Sequence, residues 1–414
     1  MNVKIIVLVL AIIIFSSCKG EKNQSVKVKT ATSIEPPSPI NSKQPYLFSN
    51  ENELFMSWTQ RINDSVHSMN FSVLTNGSWS IPVEIARGNN WFVNWADFPA
   101  IAENKGNLLA HFLQKSDPAT FAYDVRLKLS NDNGVQWNND FILHTDSTKT
   151  EHGFVTLLPY KEDLFFATWL DGRNTGGGNH DEEHSSNGAM NIRTAIISNK
   201  GEINDDTLID AKTCDCCQTS AAITPKGLVV VYRDRTDDEV RDIYISRLLD
   251  GSWTIPKPIH NDYWVINGCP VNGPKVVSYK NMLAVAWFTE ADAVPKVNVV
   301  FSKDSGKNFD TPIEISSGKA IGRVDVAFLE ENAILVSWME STDDGADLKI
   351  VKVNSEGKKF EPIIVTKLSS ARASGFPQLE IVKGIVYVAW NHIEDEEIRI
   401  KVKSFDTNDF IAGL

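Results

Sequence analysis

The sequence predicts an all-β protein: a single β-propeller of four-stranded blades, with seven blades indicated and six as the alternative. Three observations carry this. A short apolar strand followed by a second strand ending in an aromatic recurs seven times, at Trp58, Phe112, Trp169, Tyr232, Trp287, Trp338 and Trp390, about 50 to 63 residues apart. That spacing is one four-stranded blade plus its loops. A turn pattern, Ser-x-Asp-x-Gly-x-x-aromatic, stands at Ser130–Trp137 and again at Ser302–Phe309. Between these features no segment sustains apolar residues at i, i+3, i+4 and i+7, so helix should be scarce.

Each unit continues with a third strand, as in Asp124–Leu129 and Val297–Phe301, before the turn and a fourth strand. The turn chemistry is structural: the Asp side chain accepts amide protons, Gly permits positive φ, and the aromatic packs between strands. Shorter copies stand at Gly77-Ser78-Trp79, Gly251-Ser252-Trp253 and Gly357–Phe360. The last unit, from Phe376, shows three strands and runs out near Asp409. An uncovered edge is an aggregation template, so another segment should close it. Val26–Thr30 alternates apolar and polar like a strand and is the expected closing piece.

Ahead of the repeats, Lys4 precedes an unbroken apolar run, Ile5–Phe15, too short to span a bilayer as a stable helix. It ends in Phe15-Ser16-Ser17-Cys18, which resembles the lipobox of bacterial lipoproteins and implies cleavage before a lipidated Cys18. The expected organisation is a signal peptide over 1–17, a tether with its closing strand over 18–43, and the propeller over 44–414. The expected place is the bacterial cell envelope, with the lipid anchor as the only membrane contact. The formal charge of −12 over 414 residues, with no Lys/Arg cluster, excludes a nucleic-acid partner. A monomer is expected.

Two full Ser-x-Asp-x-Gly turns in a repeating all-β chain resemble the sialidase, or BNR-repeat (Asp-box), propellers over about residues 44–405. The resemblance implies a carbohydrate or other anionic ligand and, if the chain is an enzyme, a sialidase-type glycoside hydrolase. Sialidase catalytic domains have six blades, and the family's Arg-Ile-Pro motif is not found near the first blade. In that superfamily the site lies on the face opposite the Asp boxes. Residues there include His152, Asp234 and Arg235, and a polar residue stands two after six of the seven aromatics, at Gln60, Gln114, Asp171, Asp234, Glu340 and His392. The resemblance implies three arginines gripping a carboxylate; Arg173, Arg233 and Arg323 stand on three different blades. By loop position, Asp97 or Asp171 is the candidate acid and Tyr263 the candidate nucleophile.

Cys214, Cys216, Cys217 and Cys269 fall on successive loops of that same face. Adjacent Cys216 and Cys217 cannot easily bond to each other. Two disulfides stapling neighbouring blades are one reading; a thiolate site for Cu(I) or Zn(II), with His152 nearby, is the other. The sequence therefore leaves two function classes open: a carbohydrate-active or anionic-glycan-binding propeller, and a non-catalytic propeller binding a metal or protein partner through its cysteine-bearing face. His180 and His184 lie in a Gly-rich loop read as solvated.

Overall fold

A computed structural model describes residues 31–175, 188–395 and 397–411. Seven antiparallel sheets stand in a ring, and the inner strand of each touches those of its two neighbours. The inner strands are Ser42–Ser49, Ala100–Asn104, His152–Tyr160, Ser220–Thr224, Lys275–Tyr279, Ala320–Glu330 and Gln378–Val382, in blades one to seven. All seven predicted aromatics occupy the second strand of their blade and are at most 5% exposed. Alternation along each strand sends apolar side chains to both faces, where adjacent blades pack. One cluster, for example, joins Trp169 and Phe165 of blade three to Leu109 and Leu127 of blade two. Helix is confined to single turns, and no helix among the described residues is long and apolar enough to cross a membrane.

The two full turns fold alike. Ser130 Oγ donates to Asp132 Oδ1 at 2.8 Å, Gly134 N–H donates to Ser130 Oγ at 2.9 Å, and Gln136 N–H donates to Asp132 Oδ1 at 2.9 Å. Ser302, Asp304, Gly306 and Asn308 repeat this at 2.9 Å for each bond. These turns join third to fourth strands, so they mark one face of the ring. Connections between blades open on the other.

Closure is by an N-terminal strand, as expected. Thr32–Ile34 pairs antiparallel with the outer strand Glu397–Asp406 of blade seven, Thr32 opposite Ser404 and Ile34 opposite Val402. Val26–Thr30, Cys18 and the segment 1–17 lie outside the described residues, as do His180 and His184.

Candidate functional site

The inner strands enclose a cavity of about 440 Å³ on the ring axis. Its wall runs from Asp97, Gln218 and Asp325, near the interblade connections, to Ser49, Ser278 and Phe328, towards the Ser-x-Asp-x-Gly face. On the connection side the segment Asn94–Phe98 crosses the mouth. Gln44 of blade one donates to Asn94 O, and Gln218 Nε2 donates to Ala96 O at 2.8 Å. Trp95 stacks on Phe376 at 5.7 Å, while the Arg323 guanidinium lies 4.9 Å over the Trp95 ring.

The cavity wall carries acids, Asp97 and Asp325 buried and Glu380 half-buried. Asp97, 1% exposed, accepts from Phe154 N–H at 2.8 Å and from the Tyr123 hydroxyl at 3.1 Å. Burial above all, with the charge of Glu151, pushes its carboxyl up to about 8. Glu380, held by Ser49 Oγ at 2.8 Å, is likewise pushed up to about 8, by burial and then the charge of Asp325. Burial also raises Asp325. Lys275 is the cation on this wall. Of the sequence-predicted catalytic residues, Asp97 alone reaches the cavity. Asp171 is fully buried outside it, and Tyr263 is 71% exposed, anchored through its N–H to Asp242 Oδ2.

The arginines expected to converge on a ligand are committed to the scaffold, and none lines the cavity. Arg233, 1% exposed, donates to the carbonyls of Asn272, Arg241 and Phe288 at 2.6–3.1 Å. Arg323 donates to Gly375 O at 3.0 Å and Ala371 O at 3.2 Å. Arg173 forms a fork on Asp171, both bonds 2.7 Å. Arg235 does the same on Glu239 and reaches Asp215 at 3.2 Å. The physical reason is common to all four: loops that join twisted blades leave carbonyls and carboxylates without partners, and a guanidinium satisfies several at once. Asp234 is buried beside them, its carboxyl pushed up to about 7 by burial and by the charge of Asp210. The polar positions two after each aromatic end the second strands and lie off the cavity wall.

The cysteines converge instead. Cys214, Cys216 and Cys269 place their sulfurs within 4.8 Å of one another, and Cys217 Sγ is 3.5 Å from Cys214 Sγ. All four are free, so the two-disulfide reading is not met. Arg241, fully buried, donates from Nη1 to Cys214 Sγ at 3.2 Å. Burial would raise the Cys214 thiol, but hydrogen bonds from the other three thiols and the Arg241 charge hold it well below its usual range. Burial drives Cys217 the other way, up to about 12. The arrangement suits thiolate coordination of a soft ion. His152 does not join the sulfurs; it lies with His144 and three aspartates between blades two and three. Sequence reasoning missed Arg241, His144 and Glu380. Only for Glu380 was there a signal, a charge on an inward position of an alternating strand.

No known protein family and no curated protein matches the sequence. Among solved structures, the polysaccharide lyase Uly1 is similar with a TM-score of 0.53 and 9% identity, over 94% of each chain. A protein of unknown function from Dyadobacter fermentans aligns over 77% of this chain and 96% of its own, at 13% identity and TM-score 0.50. The endosialidase of phage phi92 aligns over 91% of this chain and 69% of its own, at 11% identity and TM-score 0.50. These likenesses establish the propeller fold.

Proposed function

We propose that this chain is an exported, lipid-anchored propeller that binds a soft metal ion, Cu(I) or Zn(II), through Cys214, Cys216, Cys217 and Cys269. The observation that carries it is the gathering of four free sulfurs beside the buried Arg241. Coordination would use the thiolates, and Arg241 offsets part of their charge. One ion should bind per chain, measured by metal analysis and by competition against a Cu(I) chelator. Cys214→Ser should weaken it at least roughly tenfold. Absence of stoichiometric Cu(I) or Zn(II) binding by the reduced protein would end this reading. The anchor is tested separately: labelled palmitate should enter the wild type in a bacterial host and not Cys18→Ala.

A second reading is favoured by the axial cavity. Asp97 on its wall stays protonated at neutral pH, as a general acid acting on a glycosidic or uronic substrate must. The fold shared with a polysaccharide lyase and an endosialidase makes a carbohydrate-active propeller the matching class, with a sialidase-type activity its narrowest form. The proposed carboxylate clamp would then have to come from Lys275 rather than from the committed arginines. Turnover of fluorogenic sialosides or anionic polysaccharides that is lost in Asp97→Asn would support it. Silence across such a panel would leave the metal reading alone.

A further inference from the structure

We propose a second metal site, independent of the cysteines, for a first-row divalent ion between blades two and three. Its ligands are His152 Nε2, Asp146 Oδ2 and Asp171 Oδ1, with His144 and Asp124 beside them. Asp124 begins the third strand of blade two, and His144 and Asp146 lie on the exit from that blade. His152 opens the inner strand of blade three, and Asp171 ends its second strand. The ion would therefore weld two blades.

The geometry carries this proposal. His152 Nδ1 faces two backbone carbonyls, Thr150 O at 3.2 Å and Tyr123 O at 3.3 Å, so Nδ1 carries the hydrogen. His144 Nδ1 likewise faces Asp146 Oδ1 at 2.9 Å. Nε2 is therefore the ring nitrogen that each histidine turns towards the remaining carboxylates. Both side chains are at most 2% exposed, and neither Nε2 has a hydrogen-bond partner among the described residues. Yet each points at anionic oxygen. His152 Nε2 is 3.3 Å from Asp146 Oδ2 and 3.8 Å from Asp171 Oδ1, and His144 Nε2 is 3.5 Å from Asp124 Oδ1. An ion held among these groups would give the buried, unpartnered Nε2 of His152 a ligand role and bind it to carboxylates of both blades. The two rings stack face to face with centroids 3.6 Å apart.

The His152, Asp146 and Asp171 ligand atoms lie within 4.8 Å of one another. The His152 separations of 3.3 and 3.8 Å are those of groups that each approach one ion to about 2.0–2.2 Å. The surroundings fit a built site. Trp169 Nε1 donates to Asp171 Oδ2 at 2.9 Å, and Arg173 grips both Asp171 oxygens, Nε on Oδ1 and Nη2 on Oδ2 at 2.7 Å each, which fixes its orientation; an ion would share Oδ1 with Arg173. Thr148 donates to Asp146 Oδ2. The carbonyl bond from Nδ1 is the support that a metal-bound imidazole ordinarily has. Imidazole with carboxylates selects Zn(II) or Mn(II) over the soft ions that thiolates prefer.

Mn2+ separates this site from the cysteines, because it takes oxygen and nitrogen in preference to sulfur. The full chain is titrated with Mn2+, and the loss of the free-ion electron paramagnetic resonance signal is read. One Mn2+ should bind per chain in the wild type and equally in Cys214→Ser. His152→Gln and Asp146→Asn should each weaken it at least roughly tenfold while keeping the wild-type circular dichroism. Wild-type protein gives a second measurement should those variants misfold. Adding Zn2+ should shift the His152 Nε2 resonance and raise the melting temperature. The proposal fails if the wild type binds no Mn2+, if the two variants bind like wild type, or if His152 carries protons on both nitrogens in Zn2+-saturated protein.

Discussion

Arg233 and Glu380 show how a residue's neighbours decide its use. Arg233 satisfies three buried carbonyls, so its truncation leaves them without donors. Arg233→Ala should therefore lower stability by ~3 kcal/mol or more, read as a shift of the urea midpoint. A ligand clamp would leave that midpoint unmoved. Glu380 predicts a pH dependence. Its folded-state carboxyl, at about 8, lies above the ordinary value near 4.5. Its contribution is thus complete below that ordinary value and is lost as pH rises through about 8. Asp97 and Asp234 act with the same sign. Denaturation at pH 5 and pH 8 should find the wild type more stable at pH 5. Glu380→Gln should shrink the difference by on the order of 2 kcal/mol, after allowance for water in the cavity. An unchanged difference would mean that Glu380 is ionised throughout.

Turns and strands follow a local logic that two glycines isolate. Gly77 and Gly134 have nearly the same φ, +81° and +83°, in equivalent turns of blades one and two. An added Cβ at Gly77 meets nothing within 4 Å, while at Gly134 it meets Phe71 Cζ at 2.3 Å. Phe71 in turn packs edge-on against Trp137, with centroids 5.9 Å apart, so the ring has little room to retreat. Gly77→Ala should cost about 1 kcal/mol, the strain of positive φ alone. Gly134→Ala should cost about 1–3 kcal/mol more, from overpacking. Equal melting temperatures for the two variants would show that blade one gives way freely.

Ring closure belongs to the whole molecule. Blade seven draws three strands from the C-terminal end of the chain and its fourth from Thr32–Ile34, so the two ends of the propeller are tied through backbone hydrogen bonds. Ile34 also packs with Trp58, Ala389 and Val402, across blades seven and one. A chain beginning at residue 36 should melt several degrees below one beginning at residue 31, because the exposed outer edge loses both its partner and this contact. Identical melting curves would show that the three-residue strand contributes nothing.

Architecture was legible in the sequence because its signals are local and repeated. Trp58 to Trp390 mark seven second strands, and Ser130–Trp137 and Ser302–Phe309 fold by contacts within eight residues. The need for a closing strand was legible too, since three strands cannot complete the last blade. Its place was not: nothing local marks Thr32–Ile34, and only its pairing with Lys403 and its neighbours reveals it. The cysteine cluster was half legible, because loop order put Cys214 and Cys269 on neighbouring connections, while the convergence of sulfurs depends on blade packing. Arg173, Arg233 and Arg323 look alike in sequence whether they grip a substrate or a carbonyl. What distinguishes them is which buried acceptors lack a donor, and that is decided only when distant loops are brought together. His144, Asp146, His152 and Asp171 meet for the same reason, across a blade boundary that no local pattern marks.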